Sequence, residues 1–190
     1  MTLEQFYYNQ SPSNNILDNQ ELYLIDTNIF VTVYTNGNTN DKSEKIQAYF
    51  ELLSENNLRN GYVSVQNLVE FVNVTKNKLK CFNNPAGLND RLKNISSLFH
   101  ILTYSSSTVM QAVDLSYSTG VHFFDALLAQ TMLENNVRVI YTENTLGFNK
   151  IPGIKAINPF TDKKIARLCE KARKQKIRYS VQEKKKSSSK

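Results

Sequence analysis

The fold is best predicted from the stretch LYLIDTN, residues Leu22 to Asn28. Its first four residues form a short apolar run with the character of a strand, and the run ends on a carboxylate, a hydroxyl and an amide. In open α/β sheets, ligands bind beyond the carboxyl ends of the strands. We therefore expect Asp26 to place a charged oxygen at a functional site, although an Asp in this position is also a common helix N-cap.

Short apolar segments alternate with longer amphipathic segments along the rest of the chain. Predicted strands lie at 22–26, 61–65, 101–104, 138–141 and 153–157. Predicted helices lie at 29–34, 43–56, 66–80, 88–99, 107–118, 123–135 and 162–178. This alternation predicts an α/β fold with a mostly parallel sheet covered on both faces. Right-handed crossovers then place the strand ends along one edge of the sheet.

The apolar positions of two helices predict which side chains face the core. For the helix at 66–80 they are Leu68, Val69, Val72, Thr75 and Leu79. For the helix at 123–135 they are Phe124, Leu127, Leu128 and Met132.

Composition favours a cytoplasmic protein with one domain and no membrane span. The 190 residues suffice for one domain with a substantial core, and no apolar run approaches the length of a membrane helix. The polar segment 1–20 has no apolar signal-peptide core. Cys81 and Cys169 lie far apart in sequence, so we interpret them as free thiols in a reducing compartment.

The net charge of +6 is concentrated at the carboxyl-terminal end. Residues 161–190 carry 12 Lys or Arg and 3 Asp or Glu, whereas the first 160 residues carry 11 and 14. We divide the chain into an N-terminal arm (1–20), a central domain (21–160) and a basic helix with a tail (161–190). The basic segment is equally compatible with contact to a nucleic acid and with a solvated, solubilising end.

Three further acids interrupt apolar surfaces. Glu70 lies within Leu68–Val72, Asp125 lies within Phe123–Leu128, and Glu143 follows the predicted strand at 138–141. Acidic side chains are rarely buried without a partner, so each acid either faces solvent or shares a cation with the others. Taken singly, each has an ordinary structural explanation, such as a favourable helix N-terminal charge for Asp125.

Together with Asp26, these acids form a set of oxygen ligands. Such ligands suit Mg²⁺ or Mn²⁺, whereas zinc favours His and Cys. The two histidines, His100 and His122, are not spaced as a zinc pair, and we interpret His122 as a helix-entry residue.

The ordered motifs resemble those of a known family. They are Leu-Ile-Asp-Thr-Asn at 24–28, a helical Glu at 65–71, Phe-Asp-Ala-Leu at 124–127, Tyr-Thr-Glu-Asn at 141–144, and Gly-Ile then Asn-Pro-Phe at 153–160. Over about residues 20–160, this set resembles the PIN-domain ribonucleases and is most similar to the VapC-type toxins of bacterial toxin–antitoxin pairs.

The resemblance implies a PIN-like three-layer α/β/α sandwich and metal-dependent hydrolysis of RNA. By position, the acidic cluster and metal ligands are Asp26, Glu70, Asp125 and Glu143, with Thr27 and Asn28 beside them. It further implies Mg²⁺ or Mn²⁺ as cofactor, RNA as substrate, a cognate antitoxin as partner, and a homodimer.

Two features of this chain bear on that expectation. Many similar proteins carry Asp where this chain has Asn144, so the last acidic position depends on Glu143. The RNA backbone also needs basic contacts, which lysines after Glu70 and residues of the basic segment could supply. The candidates are Lys76, Lys78, Lys80, Lys163, Lys164 and Arg167, with Lys171, Arg173, Lys174 and Arg178 further along.

Two alternatives remain open at this stage. A PIN-like module could bind RNA or protein with little or no catalysis, and Asn144 slightly favours this. Alternatively, a PIN nuclease could act in RNA processing or DNA repair instead of as a toxin.

Overall fold

The computed structural model describes residues 22–35, 60–163, 165–167, 170 and 174. The predicted arm at 1–20 and the predicted helix at 43–56 lie outside the described residues, as do Cys169 and Lys164. Cys81 is a free, exposed cysteine. In the part of the chain described here, no helix combines the length and apolarity that crossing a bilayer requires.

All five predicted strands are present, with boundaries within two residues of the prediction. The strands are β1 (Tyr23–Ile25), β2 (Gly61–Ser64), β3 (His100–Leu102), β4 (Val139–Tyr141) and β5 (Lys155–Ile157). The helices are α1 (Thr27–Thr35), α2 (Val65–Val72), α3 (Pro85–Leu98), α4 (Ser106–Thr119), α5 (Phe123–Glu134) and α6 (Thr145–Phe148). α4 ends at Gly120, whose φ of 68° is left-handed and therefore favours glycine.

The strands form one parallel sheet in the order β3-β2-β1-β4-β5. β1 lies at its centre, with Tyr23 opposite Gly61 on one side and Val139 on the other. Because the strands are parallel, the residues after β1 and β4 lie at the same edge, as predicted.

Two apolar cores cover the two faces of the sheet. Tyr23 and Ile25 of β1 pack on one side with residues of α1, α2 and α3, whereas Leu24 packs on the other with residues of α4, α5 and α6. Strand side chains alternate between faces, so a strand buried on both sides is apolar throughout. This arrangement confirms the three-layer α/β/α sandwich.

The predicted helix at 66–80 changes character in its middle. After α2 the chain continues as a π-helical segment, Asn73–Lys78, in which the Leu79 N–H donates to the Val74 carbonyl five residues back. The buried hydroxyl of Thr75 donates to the Phe71 carbonyl at 2.6 Å. Such a bond from a hydroxyl to a carbonyl one turn back is a known source of helix distortion.

Three predictions of buried side chains are wrong. Val69, Leu79 and Phe124 are 62%, 48% and 52% exposed, respectively. On α2 the buried positions are Phe71 and two amides, Gln66 and Asn67, which the apolar periodicity could not indicate. The remaining predicted positions are buried or pack against the core: Leu68, Val72, Thr75, Leu127, Leu128 and Met132.

The predicted basic helix at 162–178 begins within the described residues. Lys163, residues 165–167, Glu170 and Lys174 are helical. Ile165 is buried in the same core as β1 and α1. The start of the basic segment is therefore attached to the domain by an apolar contact.

Candidate active site

Asp26 lies at the point where β1 ends and α1 begins. Its backbone N–H still donates to the Tyr141 carbonyl of the neighbouring strand at 3.0 Å. Its carboxylate accepts hydrogen bonds from the Thr27 N–H at 2.7 Å, from Asn28 Nδ2 at 2.7 Å and from the Thr142 hydroxyl at 2.6 Å. Asp26 stands in the N-cap position of α1, but its carboxylate accepts from the first helical N–H and not from the second or third, as a capping side chain does.

Burial raises the pKa of Asp26 to about 6. The hydrogen bonds from Thr142 and Thr27 lower the pKa, and the negative charges of Glu70 and Asp125 raise it further. The net direction is upward because the charged form is costly in an environment from which water is excluded. Asp26 therefore carries a charge that the protein alone stabilises poorly.

A capping box fixes the start of α2 and thereby the position of Glu70. The Ser64 hydroxyl accepts from the Asn67 N–H at 3.1 Å, and Asn67 Oδ1 accepts from the Ser64 N–H at 2.9 Å. Such reciprocal bonds satisfy two donors at the helix start. Glu70 follows one turn later on the same helix.

Glu70 is linked to the residue after Asp26. The Thr27 hydroxyl donates to Glu70 Oε2 at 2.9 Å and itself accepts from Asn67 Nδ2 at 3.1 Å. Thr27 and Asn67 are both buried. The helix cap, the hydroxyl and the carboxylate thus form one connected network between α1 and α2.

Gln66 joins this network to α5. Its Nε2 donates to Glu70 Oε1 at 2.8 Å and to the Phe124 carbonyl at 2.9 Å. The side chain is buried, and its Oε1 has no hydrogen-bond partner among the described residues. A buried amide that lacks a hydrogen-bond partner costs free energy of folding. The two hydrogen bonds from Nε2 are therefore the evident reason why this side chain is buried here.

Asp125 lies in the first turn of α5 and is half-buried. Burial raises its pKa, and the charge of Glu70 acts in the same direction; the nearby His122 and a hydrogen bond from Asn144 lower it. Asn144 Nδ2 donates to Asp125 Oδ2 at 2.9 Å.

Glu143 has a different environment from the other three acids. It is exposed, and its Oε1 accepts a long bond of 3.4 Å from the Thr32 hydroxyl on α1. Its backbone N–H donates to Asn28 Oδ1 at 3.3 Å. The backbone of Glu143 therefore helps to orient Asn28, while its carboxylate contacts the outside of α1.

The structure brings Asp26, Glu70 and Asp125 together, since each of the two other acids influences the pKa of Asp26. Their hydrogen-bond donors among the described residues are neutral: the Thr27 N–H and hydroxyl, Asn28, Thr142, Gln66 and Asn144. No three acidic, His or Cys side chains of the described residues form a ready-made metal shell.

The other predicted residues lie around this centre or outside the described part. Lys76, Lys78 and Lys80 are exposed on and after the π-helical segment that continues α2 beyond Glu70. Lys163 and Arg167 are exposed at the start of the basic segment.

The histidines have other contacts. His122 caps α5 by accepting from the Phe124 N–H at 3.4 Å, as its interpretation as a helix-entry residue implies. His100 is exposed and contacts the ring of Tyr62.

Three polar residues of the network are not predictable from apolar periodicity or from the motifs: Gln66, Asn67 and Thr142. Thr142 is fully buried, contacts Asp26 and accepts from the Asn144 N–H at 2.9 Å. The sequence position of each residue nevertheless contained a signal that could have identified it. Gln66 lies one turn before Glu70, Asn67 lies three residues after a Ser at a strand end, and Thr142 is the first residue after β4.

Comparison with known proteins gives a family and a fold. The family model of the PIN domain matches residues 23–154. The fold is similar to that of VapBC2 from Rickettsia felis, crystallised with a fragment of promoter DNA, at 24% identity and a TM-score of 0.52 over 72% of this chain and 98% of that one. No curated protein matches the chain.

Two further structures are similar at the level of the fold. A toxin–antitoxin complex from Klebsiella pneumoniae matches at 20% identity and a TM-score of 0.51, covering 72% of this chain and 97% of that one. DNA-bound VapBC from Salmonella typhimurium matches at 19% identity and a TM-score of 0.52, with the same shares of both chains covered.

Proposed function

Because the chain belongs to the PIN domain family, a family of nucleases, we propose that it is a metal-dependent endoribonuclease with its reaction centre at Asp26. One observation carries the proposal. A buried carboxylate with a pKa raised to about 6 lies at the end of the central strand, and the charges of Glu70 and Asp125 act on it. A strongly perturbed carboxylate among like charges is characteristic of functional sites.

The chemistry of these residues fits a hard divalent cation. Asp26, Glu70 and Asp125 offer oxygen ligands, as Mg²⁺ and Mn²⁺ prefer. A cation would also offset the repulsion that raises the pKa of Asp26. When bound, such an ion polarises the phosphate and makes a bound water more acidic.

The surrounding residues hold the three acids in position. Thr142 and Asn28 orient Asp26, while Thr27 and Gln66 orient Glu70. Groups that bind a ligating carboxylate fix its direction and usually affect activity.

The fourth position of the site follows from the contacts of Asn144 and Glu143. We assign Asn144 to complete the centre through its bond to Asp125, and Glu143 to a supporting role through its backbone bond to Asn28. The carboxylate of Glu143 could join the centre only by leaving its contact with Thr32.

The family and the similar structures support our assignment of substrate and partners. Exposed lysines after Glu70, together with Lys163 and Arg167, supply positive charge for an RNA backbone. One protein of similar fold is described as a toxin–antitoxin complex, and two others are VapBC proteins bound to DNA. We therefore assign this chain the role of a toxin with a cognate antitoxin; the homodimer stays a prediction from the resemblance.

One observation favours a second candidate, a PIN-like binding module with little catalysis. Three acids converge instead of four, and an amide, Asn144, contacts Asp125. Turnover distinguishes the two candidates, since a binding module retains RNA without cutting it.

The experiment is cleavage of a panel of single-stranded and structured RNAs by the purified full chain. We expect cutting with Mg²⁺ or Mn²⁺, none with EDTA, and none by Asp26→Asn. Wild type and variant that bind RNA but leave every substrate intact would support the binding module. Equal cutting by both would indicate a contaminating nuclease and remove the support for this site.

A further inference from the structure

Phe124 presents an aromatic ring to solvent directly beside the acids. It is 52% exposed, and the next residue is Asp125. The His122 ring that packs against the Phe124 ring lies near enough to Asp125 for its charge to lower the pKa of that carboxyl. None of the roles assigned above to the site residues requires an exposed ring at this position.

The backbone of Phe124 is fixed relative to the acidic centre. Its carbonyl accepts from Gln66 Nε2, and the same nitrogen donates to Glu70. Its N–H donates to His122 Nδ1 at 3.4 Å. The backbone that carries the ring is therefore hydrogen-bonded both to α2 and to the N-cap residue of α5.

Two neighbouring rings support the ring of Phe124. The His122 ring lies nearly parallel to it, with centroids 5.7 Å apart and an angle of 29° between the planes. The Phe123 ring meets it at 62° and 5.6 Å. Offset stacked and edge-to-face contacts of this kind are favourable, so the three rings form a defined aromatic platform.

We propose that Phe124, supported by His122, is a stacking subsite for one nucleobase of single-stranded RNA. An aromatic face attracts any base, and the base would hold the adjoining phosphate next to Asp125. This inference rests on the proposed function and deepens it, because it assigns an unpaired nucleotide to the position beside the acids.

The proposal explains how RNA could bind next to negative charge. Three converging carboxylates repel a phosphate, and the exposed lysines lie on other segments. Stacking on Phe124 provides attraction that does not depend on charge. The rival occupant is an apolar side chain of a protein partner, which the experiment must distinguish from a base.

The chain contains no tryptophan, so Phe124→Trp introduces a single fluorescent reporter at the platform. We would place it in an Asp26→Asn background, which we expect to bind RNA without cutting it, and titrate with a single-stranded RNA oligonucleotide. An abasic oligonucleotide of the same length keeps the phosphates and lacks the bases. We expect quenching by the RNA and not by the abasic strand.

Met110→Trp is the matched reporter. Met110 is 67% exposed, and it lies between two α4 residues that bind the far half of α5: Thr108 bonds Glu134, and Gln111 bonds Gln130. Glu134 is nine residues beyond Asp125, about 14 Å along the helix. This second tryptophan should respond little to either strand.

Affinity supplies an independent measurement. Phe124→Leu keeps an apolar side chain and removes the aromatic face, whereas Phe124→Tyr keeps the face. We expect Phe124→Leu to weaken RNA binding on the order of tenfold, and Phe124→Tyr to bind as the parent does. Thermal unfolding checks that the variants fold, and RNA binding itself is followed by fluorescence anisotropy.

Several outcomes would overturn the subsite. Equal RNA affinity of the Leu and Tyr variants, or equal responses of the two tryptophans, would do so. So would normal RNA binding without quenching at Phe124→Trp, in which case a protein contact at this ring would be the better explanation.

Cleavage by the otherwise wild-type chain separates this inference from the proposed function. Stacking without cutting would refute the nuclease and keep the subsite. Cutting that is unaffected by Phe124→Leu, with no quenching, would refute the subsite alone. Failure of the chain to bind any RNA would refute both.

Discussion

Asp26 and Glu143 both follow central strands of the sheet, yet they have contrasting environments. Asp26 comes directly after β1, is buried, and accepts three hydrogen bonds. Glu143 comes two residues after β4, is exposed, and accepts one long bond from Thr32. The two acids look equivalent in sequence, since each follows an apolar strand.

The difference shows that side chains continue to point alternately to opposite sides for a residue or two beyond the end of β4. After β4, Thr142 points inward to Asp26, and Glu143 points outward. After β4, the second position therefore faces away from the site because the first position faces into it. An acid at a strand end is a candidate only once its side-chain direction is known.

The largest expected effect compares the two acids directly. Asp26→Asn should reduce metal-dependent RNA cleavage by at least about 100-fold, because even residues that only orient a metal ligand cost about 10- to 100-fold. Glu143→Gln should cost less than about threefold, since its carboxylate is directed to Thr32. Initial cleavage rates at saturating Mg²⁺ measure both.

The same experiment can contradict the difference assigned here to the two acids. A Glu143→Gln loss as large as that of Asp26→Asn would mean that Glu143 turns into the centre when RNA or metal binds. The supporting role assigned here to Glu143 would then be untenable.

A second pair of variants compares the hydroxyls that contact these acids. Thr142→Val removes the bond to Asp26 and should lower cleavage by about 10- to 100-fold, because Asp26 loses its orientation. Thr32→Val makes the same substitution at the hydroxyl that contacts Glu143 and should leave cleavage nearly unchanged.

Cleavage rates and metal titrations should be measured together for this pair. If orientation of Asp26 is the reason, then Thr142→Val raises the metal concentration needed for half-maximal activity. Two variants with equal losses would argue that Thr142 acts only through folding.

The sequence predicted the centre of the fold better than the directions of side chains. The five strands and the position of Asp26 follow from apolar runs and from what ends them, because burial on both faces demands continuous apolarity. Phe124 and Val69 were misassigned, since apolar periodicity assumes that every apolar residue is buried.

The polar network around the acids could not be predicted from apolar runs. Gln66, Asn67 and Thr142 are buried because each satisfies a partner that is distant in sequence. Such partners are known only once α1, α2 and β4 are placed together. Ser64 and Asn67 form a cap within one short stretch of sequence, and nothing in that stretch indicates that Asn67 also donates to Thr27.

A smaller effect concerns stability without metal. The pKa of Asp26 is about 6 in the folded protein and near 3.8 when unfolded, so between these values the folded state holds the proton more tightly. Stability should therefore fall as pH rises from about 4 to 6 and stay reduced above that, by about 3 kcal/mol at most.

Chemical denaturation in EDTA at pH 4 to 8 measures the slope of the free energy of unfolding against pH. Asp26→Asn should reduce the slope to the part that comes from Asp125, whose pKa burial also raises, and Glu143→Gln, which removes a carboxylate from the surface, should leave the slope unchanged. Added Mg²⁺ should restore stability to the wild type at pH 7 and have little effect on Asp26→Asn. An undiminished slope in Asp26→Asn would assign the pH dependence to other groups.

The smallest expected effect concerns exposed charge. Deleting 161–190 would also remove Ile165 from the core, so charge substitution is the cleaner test of the basic segment. Lys163→Gln with Arg167→Gln should lower RNA affinity and flatten its dependence on salt, by about 0.7 in the logarithmic slope for each phosphate that is no longer neutralised. Glu143→Gln should act in the opposite direction, slightly and only at low salt, because an exposed charge is screened. Unchanged affinity of the doubly substituted chain at low salt would remove Lys163 and Arg167 from the RNA-binding surface and leave the lysines after Glu70, with the ring of Phe124, as the candidate contacts.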